Sequence, residues 1–172
     1  MIARKMIMIG MRHSGKTSLV RRVALKEFDE EYLSTMGVDI YTHTIPAARL
    51  GEGAAQDVRL TVWDTQGQFD KRIFKHAYFQ GSAAIGIVGD VTNRPSLEQM
   101  IELASICDVE ATGRPCVLMG NKIDLLSPGQ EPDWPANFDA KRWKMFKTSA
   151  REDINVTEAF EHAARTILRR GL

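Results

Sequence analysis

Gly10-Met11-Arg12-His13-Ser14-Gly15-Lys16-Thr17 follows the apolar run Met6-Ile7-Met8-Ile9 and precedes an apolar-periodic segment that starts at Leu19. The pattern is G-x-x-x-x-G-K-[ST] between a strand and a helix, the setting in which it acts as a phosphate-binding loop. Each residue type has a chemical reason. Gly10 and Gly15 let the backbone curl so that successive N–H groups converge on one anion. The helix that follows turns the positive end of its dipole toward the same point. Lys16 is a mobile ammonium that can reach β- and γ-phosphate oxygens. The Thr17 hydroxyl is a hard oxygen ligand suited to Mg²⁺.

About a hundred residues later, Asn121-Lys122-Ile123-Asp124 follows a second apolar run, Cys116-Val117-Leu118-Met119. A carboxylate accepts two hydrogen bonds side by side. Guanine offers two adjacent donors, N1–H and the 2-amino group, and adenine has no such pair on that edge. Against adenine the Asp124 acceptors would be left unmatched, which is the strong form of discrimination. The two motifs together point to a guanine nucleotide.

At this point the sequence resembles the Ras superfamily of small GTP-binding proteins, over nearly its whole length. It is closest to the Rab-like branch, through Tyr32-Leu33-Ser34-Thr35-Met36-Gly37-Val38-Asp39. Trp63-Asp64-Thr65-Gln66-Gly67-Gln68, Gly89-Asp90-Val91-Thr92-Asn93, Thr148-Ser149-Ala150 and Val156-Thr157-Glu158-Ala159-Phe160 match in family order. The resemblance implies an α/β fold, the small G domain of the P-loop NTPases. Its sheet is mostly parallel and six-stranded, with one antiparallel hairpin strand and helices on both faces. Residues 1–172 would be one such domain.

The alternation of periods agrees with that fold. Strands are expected near 3–9, 37–46, 57–64, 83–90, 115–120 and 144–148, and helices near 16–26, 70–80, 95–107 and 154–169. The last helix has the clearest period, with Val156, Ala159, Phe160, Ala163, Ala164, Ile167 and Leu168 on one face. Asn155 and Glu158 suit its N-cap and the partner three residues on. The second and third strands read as a hairpin joined through Gly51-Glu52-Gly53. Pro128, Pro132 and Pro135 fall where the family commonly has a helix, and they predict a loop or one short turn there.

The resemblance also implies a site. Gly10, Arg12, His13, Ser14, Gly15, Lys16, Thr17 and Ser18 would contact the phosphates of GTP or GDP. Thr17, Thr35 and Asp64 would hold Mg²⁺, Thr35 only in the GTP state and Asp64 through water. Gly67 would offer its N–H to the γ-phosphate. Gln68 would orient the attacking water, with Lys16 and Thr35 as the other catalytic groups. Asn121, Lys122, Asp124, Ser149, Ala150 and Arg151 would surround the base. Ala150 would donate its N–H to the guanine O6, and Ser149 would brace Asp124. Phe28 fits two roles, a ring closing the core beneath the loop and the aromatic that flanks guanine. Residues 30–45 and 66–80 would be switch surfaces for effector, exchange-factor and activator proteins.

Two departures bear on rate. Gln66 stands where the family has a small residue, and Arg12 and His13 stand where it has small loop residues. Arg12 faces the γ-phosphate position, whereas His13 contributes only its backbone and should face solvent. The expected function is therefore a GTP/GDP switch with slow, Mg²⁺-dependent hydrolysis. The alternative is a GTP-binding scaffold held in one state.

Bulk properties agree with a soluble cytoplasmic protein. The 172 residues suffice for one sizeable core, and 44% are hydrophobic and 26% charged. A net charge of +1 gives no general case for nucleic acid. Two cysteines, Cys107 and Cys116, read as small buried hydrophobes in a reducing compartment. Position 2 is Ile and the chain ends Arg169-Arg170-Gly171-Leu172, so no intrinsic lipid anchor is expected unless the chain continues.

Overall fold

Met6-Ile7-Met8-Ile9 shows in four residues how the molecule is layered. All four side chains are fully buried, yet Met6 and Met8 enter one core layer and Ile7 and Ile9 the other. Side chains alternate across a strand, so a strand apolar on both faces must lie between two covering layers. The computed structural model describes residues 1–29, 37–51, 53–66 and 79–172.

Among the described residues the elements run β1 (Ile2–Gly10), α1 (Lys16–Leu25), β2 (Val38–Ile45), β3 (Val58–Thr65), β4 (Ser82–Asp90), α2 (Arg94–Glu110), β5 (Cys116–Asn121), β6 (Lys144–Lys147) and α3 (Val156–Arg170). One six-stranded sheet has the order β2-β3-β1-β4-β5-β6. β2 and β3 pair antiparallel, and every other pairing is parallel. This is the expected mixed sheet with one hairpin strand. The expected helix at 70–80 falls mostly outside the described residues.

The burial patterns follow from strand position. All nine residues of the central strand β4 are buried, whereas the edge strand β2 buries only Ile45 fully. On one face α1 and α3 bring Leu19, Val20, Phe160, Ala163 and Ile167 against Met6, Met8, Val88 and Met119. On the other face α2 brings Leu97, Met100, Ile101 and Ala104 against Ile7, Ile9, Ile85, Ile87 and Leu118. The proline-bearing segment forms no α-helix. After a single 3₁₀ turn at Ile123–Leu125 it runs irregularly and packs Trp134 and Phe138 on the α2-side core, their rings 5.3 Å apart.

Helix ends agree with the sequence in part. Asn93 caps α2 by accepting from the Ser96 N–H, with Pro95 in the first turn. At α3 the expected capping box does not form. Asn155 is left-handed, with φ 54°, and its amide donates to the Lys147 carbonyl at 2.8 Å rather than capping the helix. The side chain is drawn away because the turn from β6 leaves that carbonyl within reach. Glu158 still lies in the first turn of α3, where a negative charge complements the helix dipole.

Phe160 is the largest fully buried side chain of the α1–α3 layer. Phe160→Ala should lower unfolding free energy by about 3–5 kcal/mol, read by denaturant unfolding of the GDP-saturated protein. A loss below about 1 kcal/mol would mean that the layer collapses around the gap.

Candidate functional site

The sheet order changes direction between β1 and β4, because the chain leaves β1 toward β3 on one side and then crosses to β4 on the other. A crevice at the carboxyl ends of the strands is the usual consequence of such a reversal. Residues 10–17 leave β1 at that point and enter α1. Gly10 has φ 140° and lies so close to β4 that a Cβ would fall 2.2 Å from the Val88 carbonyl oxygen. Gly15 has φ 92°, and a Cβ there would fall 2.2 Å from the Asn121 amide nitrogen. His13, at φ 64°, supplies a further left-handed residue. It is exposed, as expected, whereas Arg12 is half-buried. Ser18 is half-buried in the first turn of α1.

Lys16 is only 6% exposed. Its ammonium donates to the carbonyls of Gly10 and Met11, both at 3.0 Å. An ammonium carries three donors, so one remains for an anion. Burial drives its pKa down from 10.5 to about 8, against the opposing pull of the Asp64 carboxylate. The Ser14 hydroxyl is fully buried and has no hydrogen-bond partner among the described residues. Buried hydroxyls are normally satisfied. A ligand in the loop would account for this one.

Asp64, fully buried near the end of β3, accepts from the Thr17 hydroxyl at 2.5 Å. These are two hard oxygen groups beside a buried ammonium, and the donor set suits Mg²⁺ among bound phosphates. Thr35, Gly67 and Gln68 lie outside the described residues. Gln66 is half-buried and its N–H donates to the Gly37 carbonyl at 3.0 Å, continuing the antiparallel ladder of β2 and β3 by one residue.

The base end is held by Asn121. This side chain is 1% exposed. Its amide donates to the Ser14 carbonyl at 3.1 Å, while its oxygen accepts from the Ala150 N–H at 3.2 Å and the Thr148 hydroxyl at 3.3 Å. The Ala150 N–H is thus engaged by Asn121, and a guanine O6 would have to share it. Lys122 turns the chain at φ 70° into the short turn that carries Asp124. The Ser149 hydroxyl donates to Asp124 Oδ1 at 2.6 Å and accepts from the Glu152 N–H at 3.0 Å, the expected brace. Arg151 is exposed at the rim.

Two positioning residues carried no role in the sequence reading. Asp90 ends β4 and accepts from Lys122 Nζ at 2.6 Å, and its other oxygen takes the Thr92 N–H and hydroxyl at 2.9 and 2.7 Å. Its only signal was its place in Gly89-Asp90-Val91-Thr92-Asn93. Arg22 of α1 donates to the Ala150 carbonyl at 2.7 Å and the Arg151 carbonyl at 2.9 Å. The same guanidinium lies 5.7 Å over the Phe28 ring, which packs half-buried against the core. Nothing local in the sequence marks Arg22.

Comparison with known proteins agrees with this geometry. A family model for the Ras family matches residues 5–169. Ras-related protein Rab-13 of Rattus norvegicus is 34% identical over 167 residues, covering 95% of this chain and 79% of the relative. Ras-related protein Rab-1 of Theileria annulata is 35% identical over 168 residues, with 95% and 73% covered. Ras-related protein Rab-7b of Homo sapiens is 35% identical over 172 residues, with 96% and 83% covered. With the G-x-x-x-x-G-K-T loop, the Asn121–Asp124 turn and the reversed sheet order in one molecule, the chain belongs to the Ras family and is a Rab-like small GTP-binding switch protein that hydrolyses GTP to GDP.

Proposed function

We propose that residues 1–172 act as one unit that hydrolyses GTP slowly, with Mg²⁺, and exposes residues 30–45 and 66–80 to regulator and effector proteins in a nucleotide-dependent way. The observation that carries the reading is the Asn121 side chain, which bonds the phosphate loop and the base loop together. When bound, Mg²⁺ would supply positive charge that offsets the negative charge developing on transfer. Thr17 and Asp64 would hold it, with Thr35 joining them in the GTP state. Lys16 would place its free N–H on the phosphates, and backbone N–H groups of residues 12–18 would surround them. Gln68 would orient the attacking water, and Gly67 would bond the γ-phosphate. Lys122, fixed by Asp90, and Arg151 would lie along the base. Phe28 shares Arg22 with the base loop, which supports its place at the edge of guanine. The free thiols Cys107 and Cys116 are consistent with the cytosol. No helix among the described residues is long and apolar enough to cross a membrane.

The Ser149 hydroxyl takes one lone pair of Asp124 Oδ1, and the remaining lone pairs of the two oxygens are left for the base. In Asp124→Asn the amide oxygen would keep the Ser149 hydroxyl and could still accept from N1–H, while the amide NH₂ would face the 2-amino group. Donor against donor should weaken GDP binding by at least about tenfold, with xanthosine diphosphate gaining, since its carbonyl replaces the 2-amino group. Unchanged GDP affinity by calorimetry would remove Asp124 from the base site.

Lys16 gives a pH signature. Its lowered pKa of about 8 means that the nucleotide-free ammonium is half deprotonated at that pH. Holding phosphate favours the charged form and raises the pKa again. GDP binding at pH 8 should therefore take up roughly half a proton, and affinity should fall by up to about tenfold per pH unit above it. Below about pH 7 the group is charged in both states and the effect vanishes. Calorimetry in buffers of different ionisation enthalpy reads the proton directly, and zero uptake at pH 8 would contradict the assignment.

Arg12 can act on the reaction in two opposite ways. A well-placed guanidinium finger is worth about 10³–10⁵ in rate. Such a finger approaches from the leaving-group side, whereas Arg12 is rooted in the loop itself, where Gln68 must enter. Obstruction follows, with slow intrinsic turnover. Arg12→Gly should leave single-turnover hydrolysis unchanged or faster, and a large drop with GTP affinity preserved would make Arg12 catalytic.

A further inference from the structure

At the end of the sheet away from the phosphate loop, a cavity of about 310 Å³ opens where the C-terminal ends of α2 and α3 meet the starts of β5 and β6. Cys116 lies on its wall, and Asn121 of the nucleotide site lies at the other end of the same strand, ~17 Å away. The cavity is thus separate from the site described above.

Its wall is strongly basic. Arg114, Arg142, Lys144, Arg169 and Arg170 line it, and Asp108 is the one carboxylate among the lining residues. Asp108 is already engaged, accepting from Arg142 Nε at 2.7 Å and from the Trp143 indole N–H at 3.1 Å. Among the described residues the other four cations have no carboxylate partner. Lys144 stands 5.0 Å from the Phe146 ring, and Arg169 and Arg170 donate to the Thr166 hydroxyl and the Gly113 carbonyl. The whole chain carries a formal charge of only +1, so this wall concentrates charge that the rest of the molecule lacks. His162 reports the same field: its pKa is lowered first by burial and then by Lys144, Arg165 and Arg169.

Arg169 and Arg170 in the last turn of α3 also complement the helix dipole, which accounts for those two. It does not account for Arg114, Arg142 and Lys144, which come from two other stretches of chain and face the same space. A concave wall that carries five cations against one carboxylate focuses potential on an anion. Four of the five are arginines, the side chain whose planar fork fits phosphate oxygens in pairs. The volume is at the small end of ligand pockets and suits one small, highly phosphorylated molecule.

We propose that this cavity binds a small ring bearing two or more phosphates, of the phosphorylated-inositol class, as a free solute or as a lipid headgroup, independently of the guanine nucleotide. The test uses the full chain loaded with GDP and titrated with inositol trisphosphate in a calorimeter. Saturable binding is expected, unaffected by excess GDP and weakened about tenfold by Arg114→Gln combined with Lys144→Gln. GDP affinity should be unchanged in that variant, which also shows that it folds. Flotation with phosphatidylcholine vesicles containing a phosphoinositide bisphosphate separates the two sources. Flotation that the soluble trisphosphate competes away assigns the lipid headgroup, and soluble binding without flotation assigns the free solute. Three results would overturn the proposal: no saturable binding, displacement of the trisphosphate by GDP, or equal affinity in the double variant.

Discussion

The nucleotide end of this molecule depends on one buried amide. Asn121 donates to the Ser14 carbonyl and accepts from the Ala150 N–H and the Thr148 hydroxyl. Three segments far apart in the chain are thereby held in one register. The same amide dictates a residue elsewhere, because Gly15 must lack a Cβ for Asn121 to reach past it. A buried polar group that loses a partner is destabilising by about 1–3 kcal/mol. Each of the three contacts therefore resists rearrangement and ties the loop after β1 to the loop after β6.

The sheet explains why this junction forms where it does. Parallel pairing of β1 with β3 and β4, and of β5 with β4 and β6, sends all their carboxyl ends to one edge. The phosphate loop leaves β1, Asp64 approaches from β3, Asp90 ends β4 and Asn121 ends β5. No side chain in the set needs a long excursion, since each is placed by a strand whose own position is fixed by two core layers. Thr65 adds a lock beside Asp64, its hydroxyl donating to the Met8 carbonyl of the neighbouring strand at 2.6 Å.

What the sequence disclosed and what it hid divide along the same line. Groups placed by their own turn were readable in position: Lys16 and Thr17 where the loop after β1 enters α1, Asp124 in the turn after β5, and Ser149 hydrogen-bonded to it. The strands were readable because Met6-Ile7-Met8-Ile9 and Cys116-Val117-Leu118-Met119 are too apolar to lie anywhere but a covered sheet. Residues that act across the fold left no local trace. Arg22 reaches a loop 128 residues away, and Lys122 reaches back 32 residues to Asp90. The failed capping box at Asn155 has the same origin. The pattern was present, but a tertiary neighbour, the Lys147 carbonyl, offered the amide a better-placed acceptor. Thr35 and Gln68, where the chemistry of hydrolysis would be decided, lie in the segments outside the described residues.

The features that make the loop fit for phosphate are the ones that make it unfavourable without phosphate. Lys16 is buried deeply enough to lower its pKa to about 8, so its charge is held at a disadvantage. The Ser14 hydroxyl is desolvated without a partner among the described residues. His13 holds a left-handed backbone that a side-chain-bearing residue adopts with strain. A bound phosphate would relieve the first two and give the curled N–H groups a common acceptor. Any ligand that binds the folded state alone stabilises it in proportion to the logarithm of its concentration over its dissociation constant. Strain concentrated at this edge of the sheet therefore couples folding to nucleotide. The β1, β4 and β5 strands, buried between two apolar layers, carry the stability that lets the loop remain strained.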